Sequence, residues 1–210
     1  GVGSNALLAI TTGAGNVAVG ASSLAANEDG SYNTALGYQA LRKVDNTSTQ
    51  NVAVGANTME NMDDTADGVS NCVAVGFEAL RGTATSTSAV DGSVAVGYRA
   101  LNAIISGVGN TAVGFTAADE IATGHFNTSI GYGAMHNADA GESNNTCVGY
   151  LAGDDIDGGG TCTIIGSTAD AAGATAANQT ILGYNTQGVA DNSVVLGNAD
   201  VTDVYMASDS

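Results

Sequence analysis

The stretch Asn110-Thr111-Ala112-Val113-Gly114 recurs, with variations, from one end of the chain to the other. Taking its closing glycine as an anchor, anchors fall at Gly20, Gly37, Gly55, Gly76, Gly97, Gly114, Gly131, Gly149, Gly166, Gly183 and Gly197. Gly3, followed by Ala6-Leu7 as Gly37 is by Ala40-Leu41, begins one more. From Gly3 onward the anchors are 17, 17, 18, 21, 21, 17, 17, 18, 17, 17 and 14 residues apart. A period sustained over the whole chain means one small unit stacked many times, and it outranks any local motif. The expected organisation is a repeat array over residues 1–191, about eleven rungs of 17–21 residues, then a final short rung and junction segment over residues 192–210.

Aligned on the anchor, each column has a physical meaning. The third residue before it is β-branched in every full repeat, from Val17 to Val194, and the residue just before it is aliphatic, from Val19 to Leu196. Between these two stands a mostly small residue: Ala in the first six full repeats, then Ser129, Cys147, Ile164, Ile181 and Val195. The fourth residue before the anchor is Asn16, Asn33, Asn51, Asn110, Asn127 or Asn145 in six repeats. Alternation with period two predicts a short strand with two distinct faces. The β-branched and aliphatic columns are expected to face the chain's own core. The Asn and small columns then face outward, which suits close approach of a neighbouring chain and an interchain Asn ladder. An aromatic follows the anchor in seven repeats, and Ala-Leu pairs such as Ala40-Leu41 and Ala100-Leu101 come three and four residues after it. This second apolar segment is read as another short strand in preference to a single helical turn. Every length change falls in the polar remainder of the repeat: Arg42 to Gln50, Glu60 to Asn71, Arg81 to Gly92 and His136 to Asn144. Insertions confined to one point of a repeat map to one edge of the stack.

The composition fits an array of small units. The chain has 30 Gly, no Pro, no Trp and only 12% charged residues among its 210. Small side chains bury little apolar area each, so an isolated rung cannot offset the entropy of ordering it, and stability must come from stacking and from other chains. Four basic against 21 acidic residues give a net charge of −17, which excludes nucleic acid as a partner, since binding it rests on neutralising phosphates with Lys and Arg. The longest early apolar run, Ala6-Leu7-Leu8-Ala9-Ile10, is far too short to span a membrane, and no membrane insertion is expected.

The segment Asn33-Thr34-Ala35-Leu36-Gly37-Tyr38-Gln39-Ala40-Leu41 resembles the repeats of phage tail fibres and related virion appendages. The shorter core Asn51-Val52-Ala53-Val54-Gly55 is also similar to the head repeats of trimeric autotransporter adhesins. The resemblance covers nearly all of residues 1–200. It implies an all-β, parallel β-roll or β-solenoid with one rung per repeat, three chains of which build an elongated homotrimeric fibre. It further implies a virion, extracellular location, with other tail proteins and a host receptor or glycan as partners. Residues Ser193 to Tyr205 look like the junction that precedes a self-cleaving chaperone domain in many phage fibres, so an end at Ser208-Asp209-Ser210 reads as a processed terminus. An adhesin head, the alternative, would continue into a coiled-coil stalk and membrane anchor.

Candidate sites are few, and neither catalysis nor a cofactor is expected. The only histidines, His125 and His136, lie in polar stretches of adjacent repeats, with no pocket in the pattern to host a nucleophile. Asp63-Asp64-Thr65-Ala66-Asp67-Gly68 opens like a calcium loop, but Ala74 stands where such a loop needs glutamate. Asp154-Asp155-Ile156-Asp157-Gly158 is a second acidic turn, and these aspartates (Asp63, Asp64, Asp67, Asp154, Asp155, Asp157) are weak cation candidates. Cys72, Cys147 and Cys162 lack metal-ligand spacing and stand in small-residue columns, so they read as buried free thiols. The aromatic column reads as corner packing in preference to a sugar-binding stripe.

Overall fold

The computed structural model describes residues 1–44, 47–62, 69–83, 90–139 and 141–205. It is all-β, a parallel β-solenoid of about 10 turns, and the described residues contain no helix. Each repeat contributes one three-residue strand ending at its anchor. These are β1 (Val17–Val19), β2 (Thr34–Leu36), β4 (Val52–Val54), β6 (Val73–Val75), β7 (Val94–Val96), β8 (Thr111–Val113), β9 (Thr128–Ile130), β10 (Thr146–Val148), β11 (Thr163–Ile165), β12 (Thr180–Leu182) and β13 (Val194–Leu196). They form one 11-stranded parallel sheet in chain order, each strand pairing column for column with the next, as in Thr111↔Thr128 and Val113↔Ile130. At the spacing of hydrogen-bonded strands, the sheet is about 50 Å long. A second, two-stranded parallel sheet pairs β3 (Lys43–Val44) with β5 (Asn61–Met62).

The faces of the strand are the reverse of the sequence-based expectation. The small column points inward: Ala35, Ala53, Ala74, Ala95, Ala112, Cys147, Ile164 and Ile181 are wholly buried. The flanking β-branched and aliphatic side chains point out, with Val17 at 52%, Leu36 at 47% and Ile165 at 42% exposure. The reason is volume. Leu41, Met59, Leu80, Leu101 and Met135, four residues past their anchors, already fill the coil from the other side and are fully buried. Only a small side chain fits opposite them, Ala in four of these coils and Ser129 facing Met135. In the coils of Gly166 and Gly183 that place is taken by Asp170 and Gln187, and Ile164 and Ile181 supply the missing volume from the strand.

The second apolar segment is not a strand either. Its residues alternate into the left-handed region: Arg99 (φ 55°) and Leu101 (φ 51°) are two and four past Gly97, and Gln39 (φ 56°) and Leu41 (φ 52°) repeat this after Gly37. A third left-handed residue stands five before the anchor, as at Tyr32 (φ 61°) and Phe126 (φ 56°). Such a backbone costs a non-glycine residue about 1–2 kcal/mol. Neighbouring coils hold it in place. Arg99 N–H donates back to Phe77 C=O at 2.9 Å, Leu101 N–H forward to Ala117 C=O at 3.1 Å, and Phe126 N–H back to Val108 C=O at 3.0 Å. A coil without neighbours has the strain and none of these bonds.

At the anchors, backbones of successive coils come too close for a side chain. A Cβ built on Gly114 (φ +143°) would overlap the carbonyl of Gly131, and Gly37, Gly55, Gly76 and Gly97 are each blocked by the next anchor in the same way. Gly92 (φ +67°) has left-handed geometry but nothing within 4 Å of the added carbon. Gly92→Ala should therefore cost only about 1–2 kcal/mol. Gly114→Ala should cost more than about 3 kcal/mol, since it adds a backbone clash to a disfavoured φ. Urea-unfolding midpoints of the two variants will rank them.

Candidate functional site

Two long surfaces and one internal ladder arise from stacking identical columns. The internal ladder is made by the Asn column, and it runs within the chain, correcting the expected interchain ladder. Asn33, Asn51, Asn110, Asn127 and Asn145 are buried, and Asn16 at the first full coil is partly so. Each carboxamide oxygen accepts from the backbone N–H in the same slot of the next coil: Asn33 to Asn16 at 2.9 Å, Asn127 to Asn110 at 2.9 Å, and Asn145 to Asn127 at 3.0 Å. Each carboxamide nitrogen donates to a backbone carbonyl of that coil, as Asn51 does to Val69 (2.6 Å) and Asn127 to Glu142 (2.7 Å). The side chain thus satisfies a buried donor and a buried acceptor that no strand pairing reaches.

Cys72 and Cys162 stand in this column and copy its donor: their thiols reach the equivalent carbonyls, Val90 at 3.2 Å and Ala176 at 3.5 Å. All three cysteines are free and buried. Desolvation pushes the Cys72 thiol up to about 12 and raises Cys147 and Cys162 as well, so none presents the thiolate that reacts.

The first surface is uncharged and largely apolar, although threonine holds the third place before the anchor in six of the eleven strands. The outward strand residues form two parallel columns, and the aromatic column adds a third beyond the anchors. Phe77, Tyr98, Phe115, Tyr132 and Tyr150 follow one another on successive coils, with ring centroids 5.6, 4.9, 4.9 and 5.6 Å apart. The first four rings are nearly parallel, at 10–12° between planes. Their faces are spent on one another, so what they offer outward is edges and hydroxyls, not the open faces on which a sugar would stack. Ala56 and Ser167 interrupt the run on either side and leave Tyr38 and Tyr184 apart. No Asp, Glu, Lys or Arg occupies any of these three columns in any repeat, although the chain has 25 such residues.

The second surface is a charged row five residues past the anchor, which the sequence reading did not single out. Down successive coils it reads Arg42, Glu60, Arg81, Asn102, Asp119, His136 and Asp154. Glu60, nearly buried, takes Arg42 at 2.5 Å from one side and Arg81 at 3.2 Å from the other. Arg81 also meets Glu78 at 3.5 Å. Arg99 reaches Glu78 and Asp119 at 3.9 Å each, and hydrogen-bonds the neutral Asn102 at 3.3 Å. Asp119, also nearly buried, pairs with the Nδ1 of His136. All three arginines of the chain are committed to this row or its flank.

Beyond His136 the row has no further permanent cation. Burial raises the carboxyls of Asp119 and Asp154, and burial with Asp155 and Asp154 alongside raises Asp170 to about 6. The hydrogen bond that protonated Asp157 gives to Asp139 raises Asp157. Because folding favours the protonated form of these acids, their stabilising contribution is complete below the ordinary aspartate range and is lost as pH rises, through about 6 for Asp170.

Of the cation candidates, Asp63, Asp64 and Asp67 lie outside the described residues. Asp154, Asp155 and Asp157 are not brought together. Asp154 stacks beside His136, the Asp155 amide donates to the Asp170 carboxylate at 3.2 Å, and Asp157 turns to Asp139. Among the described residues no three His, Cys, Asp or Glu side chains are grouped to hold a metal ion. His125 is engaged locally, its Nδ1 accepting from the Val108 amide at 3.2 Å. A shallow cleft of about 310 Å³, lined by residues 172–176, Ala190 and Asp191, has one ionisable group, and that carboxylate already caps the Ala177 amide at 2.9 Å.

No protein-family model, no curated protein and no solved structure matches the chain.

The ladder makes a specific demand. Asn127→Ala removes the acceptor of the buried Asn145 amide, at about 1–3 kcal/mol, together with a donor to the Glu142 carbonyl, whereas Asn127→Cys keeps a donor and should cost clearly less. Thermal unfolding of both variants checks this. In the same native protein, thiol-reactive dye at pH 8 should label none of the three cysteines until denaturant is added.

Proposed function

We propose that this chain is a structural module of a virion fibre, of the phage tail-fibre kind, in which three copies pack side by side and hold a recognition surface away from the particle. Its work is mechanical and geometric, not catalytic. The observation that supports this reading is the charge-free apolar surface running the length of the rod.

The surface is about 50 Å long and, one three-residue strand wide, about 10 Å across. That is about 500 Å² before the aromatic column is added, at the upper end of what a monomer leaves in water. Covering it takes the exposed aliphatic side chains and threonine methyls out of water, which favours association against the entropy of bringing chains together. The partner must be as long, as straight and as apolar, with the same repeat spacing. A second copy of the chain meets all of these conditions, and three copies enclose such surfaces around an axis. The strong net negative charge does not oppose this packing at close range, because its carboxylates stand in other columns.

The repeat resemblance of Asn33 to Leu41 supports the virion assignment, and the confinement of length changes to one edge supports display of loops to a host receptor or glycan. Size-exclusion chromatography with light scattering should report three chains. Replacing Val96 and Val113 together by Asp, on the outward face, should release monomers that keep the wild-type far-ultraviolet circular dichroism. A stable wild-type monomer would overturn the trimer, and an electron micrograph locating the chain on a cell surface and on no particle would overturn the virion assignment.

A further inference from the structure

The charged row is neutralised differently along its length. From Arg42 to Arg99 its carboxylates, Glu60 and Glu78, face arginines, whose charge does not change with pH. In the following coils one titratable ring takes that place. His136 sits between Asp119 on the preceding coil and Asp154 on the next. The other charged groups around this trio are Glu120 and Arg99 on the Asp119 side, and Asp155 and Asp170 on the Asp154 side. Arg99 is the only permanent cation among them, and it reaches Asp119 at 3.9 Å while also serving Glu78 at the same distance.

Neutral imidazole can give one proton to one carboxylate. Protonated imidazole gives a hydrogen bond to Asp119 and a positive charge to both neighbours. Asp154 gains from that charge: its Oδ1 is enclosed and accepts no hydrogen bond, and only the backbone amides of His136 and Asn137 otherwise favour its ionised form. Nothing equivalent changes in the coils before Gly97, where no histidine is present.

We propose that His136 is a pH-sensitive latch, whose protonation between Asp119 and Asp154 tightens the coils of Gly114, Gly131 and Gly149 while the coils from Gly37 to Gly97 stay unchanged. The rod then has one end whose firmness follows acidity and one end whose firmness does not. The neighbouring aspartates, raised as they are, remain in the H136Q chain, so a response that they alone produce survives that substitution.

The test is native-state hydrogen exchange at pH 6.5 and 8.0, each rate divided by its intrinsic value at that pH, on the wild-type chain, H136Q and H136R. In the wild type, protection of the Ala118, Met135 and Leu151 amides should be about fivefold higher at pH 6.5, the scale of one partly exposed ion pair. Protection of Leu41, Met59 and Leu80 should not move. H136R should hold the higher protection at both pH values, and H136Q the lower protection at both. The proposal is overturned if H136Q keeps the wild-type response, or if both groups of amides respond alike. Should either variant fail to fold, the wild-type contrast between the two groups of amides still decides, as does its loss in 1 M salt, where an ion pair is screened and a packing change is not.

Discussion

Adjacent coils touch backbone to backbone at the anchor glycines, and this contact sets the rise of the whole rod. A side chain there would wedge the strands apart, and every other ladder in the molecule is tuned to the distance they keep. The aromatic centroids at 4.9 Å, the Asn amides reaching one coil onward at about the length of a normal hydrogen bond, and the in-register strand pairs all repeat at that one step. Three left-handed residues per coil turn the chain back onto itself, and their strain is offset by bonds to neighbours. Stability is therefore cooperative along the rod, as in other one-dimensional stacks.

The same constraint determines which residues can repeat. In a stack, each side chain faces its own column one step above and below. Amides, aromatic rings and methyl groups gain from meeting their own kind, so Asn, Tyr or Phe, and Ala recur in register. Charges do not. Like charges about 5 Å apart repel by about 1 kcal/mol even in water, and by more where water is displaced. The column five past the anchor accordingly runs Arg42, Glu60, Arg81 and then, after a neutral Asn102, Asp119, His136, Asp154. Alternation of sign is the only charged sequence such a column tolerates.

Much of this was legible in the residues. The anchor period gave the solenoid, and the columns gave one strand per coil. The direction of the strand was not legible from the two-residue alternation, because a Val-Ala-Val strand reads equally well either way round. What decides it is volume on the far wall of the coil, contributed by Leu80 or Leu101, and that shows only when columns are compared. The exchange of Ala for Ile164 and Ile181 in the coils where Asp170 and Gln187 take that place is the sequence signal that marks the core. The left-handed turns hid the second segment, since no propensity places Leu41 at positive φ without the hydrogen bond from the next coil. Length differences of up to seven residues between repeats broke the plain spacing, and the charged row emerges only when the sequence is aligned on its anchors.

Turning the strand over changes what the molecule can do. With Asn and Ala outward, the rod would present a polar, small-residue surface suited to water, and its aliphatic residues would already be satisfied inside. With Ala and Asn inward, the core is closed by the chain alone and the Val, Leu and Ile residues are left over. A chain that leaves the aliphatic residues of every strand on the outside, excludes every charge from their columns and stacks its aromatic rings beside them is shaped for a companion of the same pitch. The carboxylates then have to find partners elsewhere on the coil. The charged row is where they find them, with arginine along one part of the rod and a single histidine along the next.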